Sequence, residues 1–235
     1  MASAAVMKAL DEIRKGHMVL VYDADGREEE TDMVIASESV TPAAVRTLRK
    51  DAGGLICTTA DLSIQESLGL PFMTELYQGM VDEYPVMGGL VPNDIPYDVK
   101  SAFGITINHR KTFTGVTDND RAMTIKEFAE LARRAIAQEN GWGMREFGRS
   151  FRAPGHVHLL NTSRSILETR FGHTELATAL VIMAGLVPSA TVCEMMGDDG
   201  KALSKEAARA YAGARGMAFL EGAEIIEAWK AYGRR

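Results

Sequence analysis

Five acidic side chains fall within eight consecutive positions, Asp25-Gly26-Arg27-Glu28-Glu29-Glu30-Thr31-Asp32. The cluster lies between His17-Met-Val-Leu-Val-Tyr-Asp23 and Met33-Val-Ile-Ala36, apolar runs that read as strands. A loop leaving a strand is held firmly enough to aim carboxylates at one point. Hard divalent cations such as Mg²⁺ take oxygen ligands of this kind, so the loop is a candidate metal site. A solvated acidic loop is the plainer alternative.

A second group with chemical potential is Arg170-Phe171-Gly172-His173-Thr174-Glu175, followed by the apolar stretch from Leu176 to Ala184 and by Gly185. The pattern predicts a helix with Thr174 as N-cap and Gly185 as the residue after its end. Its continuous apolar run predicts burial on most sides. Free N–H groups of the first turn, the positive end of the helix dipole, the Thr174 hydroxyl and the Arg170 guanidinium together suit a phosphate. Arg170 could hold it bidentately, and Gly172 allows close approach to the backbone. Equally, Arg170 could pair with Glu168 or Glu175 while Thr174 only caps.

Five segments in this order resemble the 3,4-dihydroxy-2-butanone 4-phosphate synthase family. They are Arg27-Glu28-x-Glu30-x-Asp32, the run Thr114 to Arg121, Pro154-Gly155-His156-Val157, Arg170-x-Gly172-His173-Thr174-Glu175, and Cys193-Glu194. The resemblance extends from about Met7 to the C-terminus. Three departures stand out: Thr31 where the family has Gly or Ala, Thr117-Asp118-Asn119 in place of Ser-Ala-Ala, and His158-Leu159 in place of Phe-Pro. None removes a carboxylate, His or Arg that the resemblance carries over.

The resemblance implies conversion of D-ribulose 5-phosphate to L-3,4-dihydroxy-2-butanone 4-phosphate and formate with Mg²⁺ or Mn²⁺, a second ion being common in the family. It implies Glu28 and His173 as metal ligands, and Glu28, Asp32, His156 and Glu194 as catalytic. Arg27, Glu30, Asp32, Cys57, Thr114, Arg170, Gly172, His173, Thr174 and Glu194 are implied at the substrate. Within that set His156 and Glu194 are expected to pair for proton transfers remote from the metal. Glu194 ends an apolar strand, a position that withdraws a carboxylate from water and suits it to acid–base work. Asp120 is expected to hold Arg121, while Asp118 adds negative charge near the phosphate. Glu29, which the motif leaves open, is expected to be solvated, and His17, His109 and His158 to be structural. A homodimer is implied, with one subunit completing the other's site and Met73, Leu76, Met80 and Met87 as interface candidates.

Other classes remain to be separated. A metal-dependent sugar-phosphate isomerase or aldolase would use the same enediol chemistry without releasing formate. A non-catalytic nucleotide- or RNA-binding module could use the Arg170–Thr174 segment, but it has no need of Glu28 with His173. The formal net charge of −6 and pI near 5.5 also argue against a nucleic-acid surface. No apolar stretch is long enough for a bilayer and no signal-peptide pattern is visible, so a cytoplasmic protein is expected. Cys57 and Cys193 form neither a disulfide framework nor a zinc spacing.

The elements that must position these residues read as one mixed α+β domain over 1–235, a mixed β-sheet flanked by helices. Thr41-Pro42 opens a helix that stops at Gly53-Gly54. Strands are expected at 55–59, 105–109, 156–160 and 190–194. Thr124-Ile-Lys-Glu127 has the form of a capping box and predicts a helix from there to about Asn140-Gly141. Ser204 and Glu221 open the last two helices, and residues 63–95 read as irregular structure with short helices.

Overall fold

The computed structural model describes residues 3–92 and 94–233. In chain order its elements are α1 (Ala4–Arg14), β1 (Val19–Tyr22), β2 (Thr31–Ala36), α2 (Pro42–Thr47), β3 (Cys57–Ala60), α3 (Leu62–Leu68), α4 (Met73–Gly79) and α5 (Val86–Gly89). There follow β4 (Phe103–His109), α6 (Asp118–Ile136), α7 (Trp142–Ser150), β5 (Phe151–Asn161), α8 (His173–Met183), β6 (Ala190–Glu194), α9 (Lys205–Arg215), β7 (Phe219–Glu221) and α10 (Gly222–Tyr232).

Local chemistry accounts for many of the boundaries. The Thr41 hydroxyl accepts from the Ala44 N–H with Pro42 at the first helical position, and the helical path ends where Gly53 takes φ +91°. Ser204 caps α9 through the Ala207 N–H. The expected start at Thr124 is wrong by two turns. Thr117 is the cap, accepting from Asp120 N–H, and Thr124 lies buried inside α6 with its hydroxyl accepting from His109 N–H. A Thr three residues before a Glu matches a capping box, but here the hydroxyl joins the helix to β4 instead. α1, α7 and β7 were not anticipated.

The seven strands form one sheet in the order β4-β5-β3-β6-β2-β1-β7. β1 and β7 pair in parallel, as do β3 and β5, and the other neighbours are antiparallel, so the sheet is mixed as expected. Side chains alternate between its faces. Met33, Ile35, Cys193, Met195, Val157 and Leu159 join one core, covered by α2, α3, α6 and α9. Val34, Ala36, Cys57, Val192 and Leu160 join the other, covered by α1, α8 and α10. Asp32 and Glu194 lie opposite each other in the β2–β6 register, on the α8 side by this alternation. α4 and α5 bury no residue at all.

Candidate active site

The acidic loop is organised by Asp23, which is 3% exposed at the end of β1. One of its oxygens accepts from the Glu28 N–H at 3.0 Å and from Arg27 Nη1 at 3.1 Å, and the other from the Glu30 N–H at 3.1 Å. The chain can wrap one carboxylate in this way because Gly26 and Glu29 adopt φ of +78° and +58°. Glu29 spends its carboxylate on the Gly26 N–H and is exposed, in keeping with the solvated role expected of it. Sequence reasoning assigned Asp23 no role. The signal was an Asp closing an apolar run just before a Gly-containing turn.

His173, first residue of α8, is the hub of the cluster. Its Nε2 is 3.2 Å from the Val21 carbonyl and 3.7 Å from Asp32 Oδ1, while its Nδ1 is 3.2 Å from Glu28 Oε2. Only an N–H can serve the carbonyl, so Nε2 donates and Nδ1 faces the Glu28 carboxylate. An imidazole whose second nitrogen is anchored to a backbone carbonyl is oriented as metal-binding histidines are. Asp23, Glu28 and His173 each offer a ligand atom within 4.8 Å of the others.

The electrostatics point the same way. Burial pushes the Asp32 carboxyl up to about 8; His173 opposes the shift, and the charges of Glu194, Glu28 and Glu30 reinforce it. Burial disfavours the His173 imidazolium, yet Asp32 and the hydrogen bond to Glu28 raise it to about 9. Burial also works against the Glu28 carboxylate, but His173 and Arg27 outweigh that and hold it at about 2. Glu30 is raised by burial and by Glu28 and Glu194. Carboxylates facing each other across a strand pair repel, and Asp32 Oδ1 is buried without a hydrogen-bond donor. A buried acceptor with no donor among crowded carboxylates is what a cation would satisfy, so these residues fit a hard divalent ion.

Beside this cluster lies a guanidinium pair. Arg170 Nη1 donates to Glu175 Oε2 at 2.5 Å and its Nε donates to Asp98. Arg27 Nη2 reaches the same Asp98 oxygen at 3.2 Å, and its Nη1 lies 2.8 Å from Glu28 Oε2. Glu175 is fully buried and also accepts from Ser163 N–H, so of the two expected pairings for Arg170 it is Glu175, not Glu168, that forms. Thr174 does not cap. Gly172 is the N-cap of α8, with no side-chain bond, and Thr174 is the second helical residue. The glycine lets both guanidiniums approach the helix start, because a Cβ there would stand 2.6 Å from Arg27 Nη2 and 2.9 Å from Arg170 Nη1 and would displace them.

Glu28, Asp32, Arg170, His173, Thr174 and Glu194 line one cavity of about 200 Å³. Tyr97, Asp98 and Lys100 close it from the segment before β4, with Phe103 at the start of that strand, a contribution with no recognisable motif. Arg27 lines an adjoining cavity. Cys57 stays in the core opposite Val192 in the β3–β6 register, 1% exposed, and burial pushes its thiol well up. Thr114 and His156 lie elsewhere, gathered around Asn108 at the β4–β5 end of the sheet. The expected His156–Glu194 pair does not form within the chain. His156 contacts Asn108, and Glu194 accepts from Leu55 N–H at 2.7 Å. The two strands are separated by β3, roughly 10 Å across two strand spacings. Asp120 does not hold Arg121 either. It accepts from Gly115 N–H, while Asp118 takes Arg121 together with Arg49. Gly155 permits the close packing at this corner, since a Cβ there would sit 2.0 Å from the Ile107 carbonyl carbon.

Comparison with known proteins identifies relatives of the whole arrangement. The family model described as 3,4-dihydroxy-2-butanone 4-phosphate synthase matches residues 7–228. A protein of that name from Methanothermobacter thermautotrophicus is 49% identical over 225 residues, covering 95% of each chain. The solved structure of the synthase of Candida albicans has TM-score 0.70 at 25% identity, covering 94% of this chain and 95% of that one. Another, described as a complex with two magnesium ions, has TM-score 0.73 at 23% identity and covers 95% of each chain, a likeness of fold.

Proposed function

This chain belongs to the 3,4-dihydroxy-2-butanone 4-phosphate synthase family, and on that premise we propose that it is a lyase of riboflavin biosynthesis that converts D-ribulose 5-phosphate to L-3,4-dihydroxy-2-butanone 4-phosphate and formate. One observation carries the reading: an acidic, cation-suited cluster and a helix entry flanked by Arg170 share one cavity.

The substrate loses carbon 4 while carbon 5 keeps its phosphate, so the skeleton must rearrange after the C3 proton is removed. Glu28 and His173 would hold Mg²⁺ or Mn²⁺, with Asp23 beside them, and we extend the proposal to a second ion per site. When bound, the ion supplies Lewis-acid stabilisation of the enediolate charge on the sugar oxygens. Asp32 is the first proton carrier, because burial raises its carboxyl to about 8 and leaves it able to exchange a proton near neutral pH. Glu194, anchored by Leu55 N–H, is the second. Arg170 and Thr174, at the positive end of α8, bind the phosphate with the Arg27 guanidinium beside them, and Glu30 contacts the sugar. With substrate labelled at carbon 4, formate carries the label and the four-carbon phosphate does not. An isomerase would keep all five carbons and an aldolase would not rejoin carbons 3 and 5, so label retained in a sugar phosphate rejects the assignment.

The enzyme acts in the cytoplasm as a homodimer, using no nucleic acid. Among the described residues, no helix is long and apolar enough to cross a membrane. α4 and α5, with the residues that cap their ends, display Leu76, Met80, Val86 and Leu90 at 40–63% exposure, with Met73 and Met87 half-buried beside them. Phe113, 94% exposed, adjoins Thr114 on the same corner as His156. Helices with no core of their own suit a twofold contact, which would let His156 and Thr114 serve the partner's cavity. Sedimentation at assay concentration should give twice the 25.6 kDa chain mass. An active monomer would remove the dimer from the proposal.

A further inference from the structure

Asp98 is the one carboxylate of the guanidinium cluster that is not built into a helix, a strand or the acidic loop. Glu175 is on α8, and Asp23 is fixed by three donors. Asp98 lies between α5 and β4 in a stretch whose described residues form no helix or strand, with Tyr97 and Val99 exposed on either side of it at 45% and 92%. Its own side chain is only 11% exposed, because one oxygen is shared by Arg27 and Arg170. The other accepts from the adjacent Val99 N–H. Among the described residues, the side-chain contacts that hold this segment are the two guanidiniums on Asp98, the Arg27–Tyr97 stacking contact at 5.4 Å and Lys100 over the Phe72 ring at 3.7 Å.

Two arginines donating to one oxygen anion is the arrangement a phosphate monoester would take. Yet the pair already faces Asp23, Glu28, Glu175 and Asp98, four carboxylates to two cations. A dianion added to that set would be repelled, and Asp98 is the one of the four carried by neither a helix, a strand nor the acidic loop. The space tells the same story. Ile95, Tyr97 and Asp98 line both the cavity of about 200 Å³ and its neighbour of about 440 Å³, so the segment is the wall between them. The first is smaller than the roughly 300–1,000 Å³ of ordinary ligand sites, and the two joined are not.

We infer that Asp98 is an internal stand-in for the substrate's phosphate: its carboxylate occupies the Arg27–Arg170 seat, and an arriving phosphate displaces it and releases the 95–100 segment from across the cavity. The inference rests on the phosphate role proposed for Arg170. While seated, Asp98 keeps both guanidiniums aimed and competes as a tethered anion at an effective concentration on the order of millimolar. The result is selectivity, because a neutral sugar has no means of displacing it.

The test is calorimetric titration of the full chain and of its Asp98→Asn variant with inorganic phosphate, alongside hydrogen exchange of residues 95–100. Losing the competitor should tighten phosphate binding on the order of tenfold. In the wild-type protein, saturating phosphate should speed exchange in 95–100, and in Asp98→Asn exchange should already be fast without it. Equal or weaker phosphate binding by the variant overturns the inference, as does wild-type exchange that phosphate leaves unchanged. Neither readout needs turnover. Formate release by the wild-type enzyme therefore tests the reaction separately, and the failure of one can be told from the failure of the other.

Discussion

Replacing His173 by alanine, or Glu28 by glutamine, is expected to cut Mg²⁺-dependent formate release by at least roughly a thousandfold, the rate equivalent of several kcal/mol of lost charge stabilisation. The two substitutions attack the same point from different elements. His173 begins α8 with its Nε2–H fixed on the Val21 carbonyl, which leaves Nδ1 toward Glu28, and Glu28 is placed by the Asp23 cradle. Glutamine keeps the size of Glu28 but removes the charge, so the fold should persist while Mg²⁺ affinity falls by more than about 100-fold, beyond the loss usual for a supporting residue. Treatment of the wild-type enzyme with a chelator should reproduce the loss, and added Mg²⁺ should reverse it. Near-normal Mg²⁺-dependent turnover in either variant would show that the ion is held elsewhere.

The legibility of the chain divides along physical lines. Strands β2, β4, β5 and β6 were visible because each carries a run of apolar or β-branched residues near a turn signal, and the caps at Thr41 and Ser204 because cap chemistry is local. Thr124 and Thr174 show the limit of local signals. Each hydroxyl stands at the right spacing to cap, but tertiary partners decide otherwise: Thr124 is recruited by His109, and α8 begins two residues earlier than Thr174 predicts, at His173 behind Gly172. Similarly, β7 is too short to carry a pattern, and it exists because β1 offers it a parallel edge.

The cavity shows the same division. Glu28, Asp32, Arg170, His173, Thr174 and Glu194 come from three distant stretches of chain, and only motifs in a familiar order marked them as neighbours. Asp98 and Tyr97 had no such mark, since a lone Asp in an irregular run gives no sign of its partners. His156 was legible as a residue worth naming, but its distance from Glu194 follows from the strand order, with β3 inserted between β5 and β6, and strand order is not written locally.

Asp32→Asn is expected to lower kcat by about 100- to 10,000-fold, the usual range for removal of a positioned acid–base group, while making the metal-free protein more resistant to heat. The carboxyl is 2% exposed, lies opposite Glu194 in register, and has one oxygen without a donor. Burial raises it from the ordinary 3.8 to about 8, so between those values the folded state binds a proton that the unfolded chain releases. Stability therefore falls as pH rises from about 4 to about 8, because the unfolded state binds fewer protons than the folded one throughout that interval. Asparagine is isosteric and does not titrate, so this decline is absent from the variant. With chelator present, its melting temperature should exceed that of the wild type by a margin that widens from pH 5 to pH 8. His173 also loses its favourable charge as pH rises toward about 9, but that slope belongs to both proteins and is shallower in the variant, which lacks the Asp32 charge. A variant less stable than wild type at pH 8, or one with unchanged kcat, would mean that Asp32 is a structural acceptor. The opposite signs of the two effects separate a carboxylate kept for proton transfer, at a cost in stability, from one kept for packing.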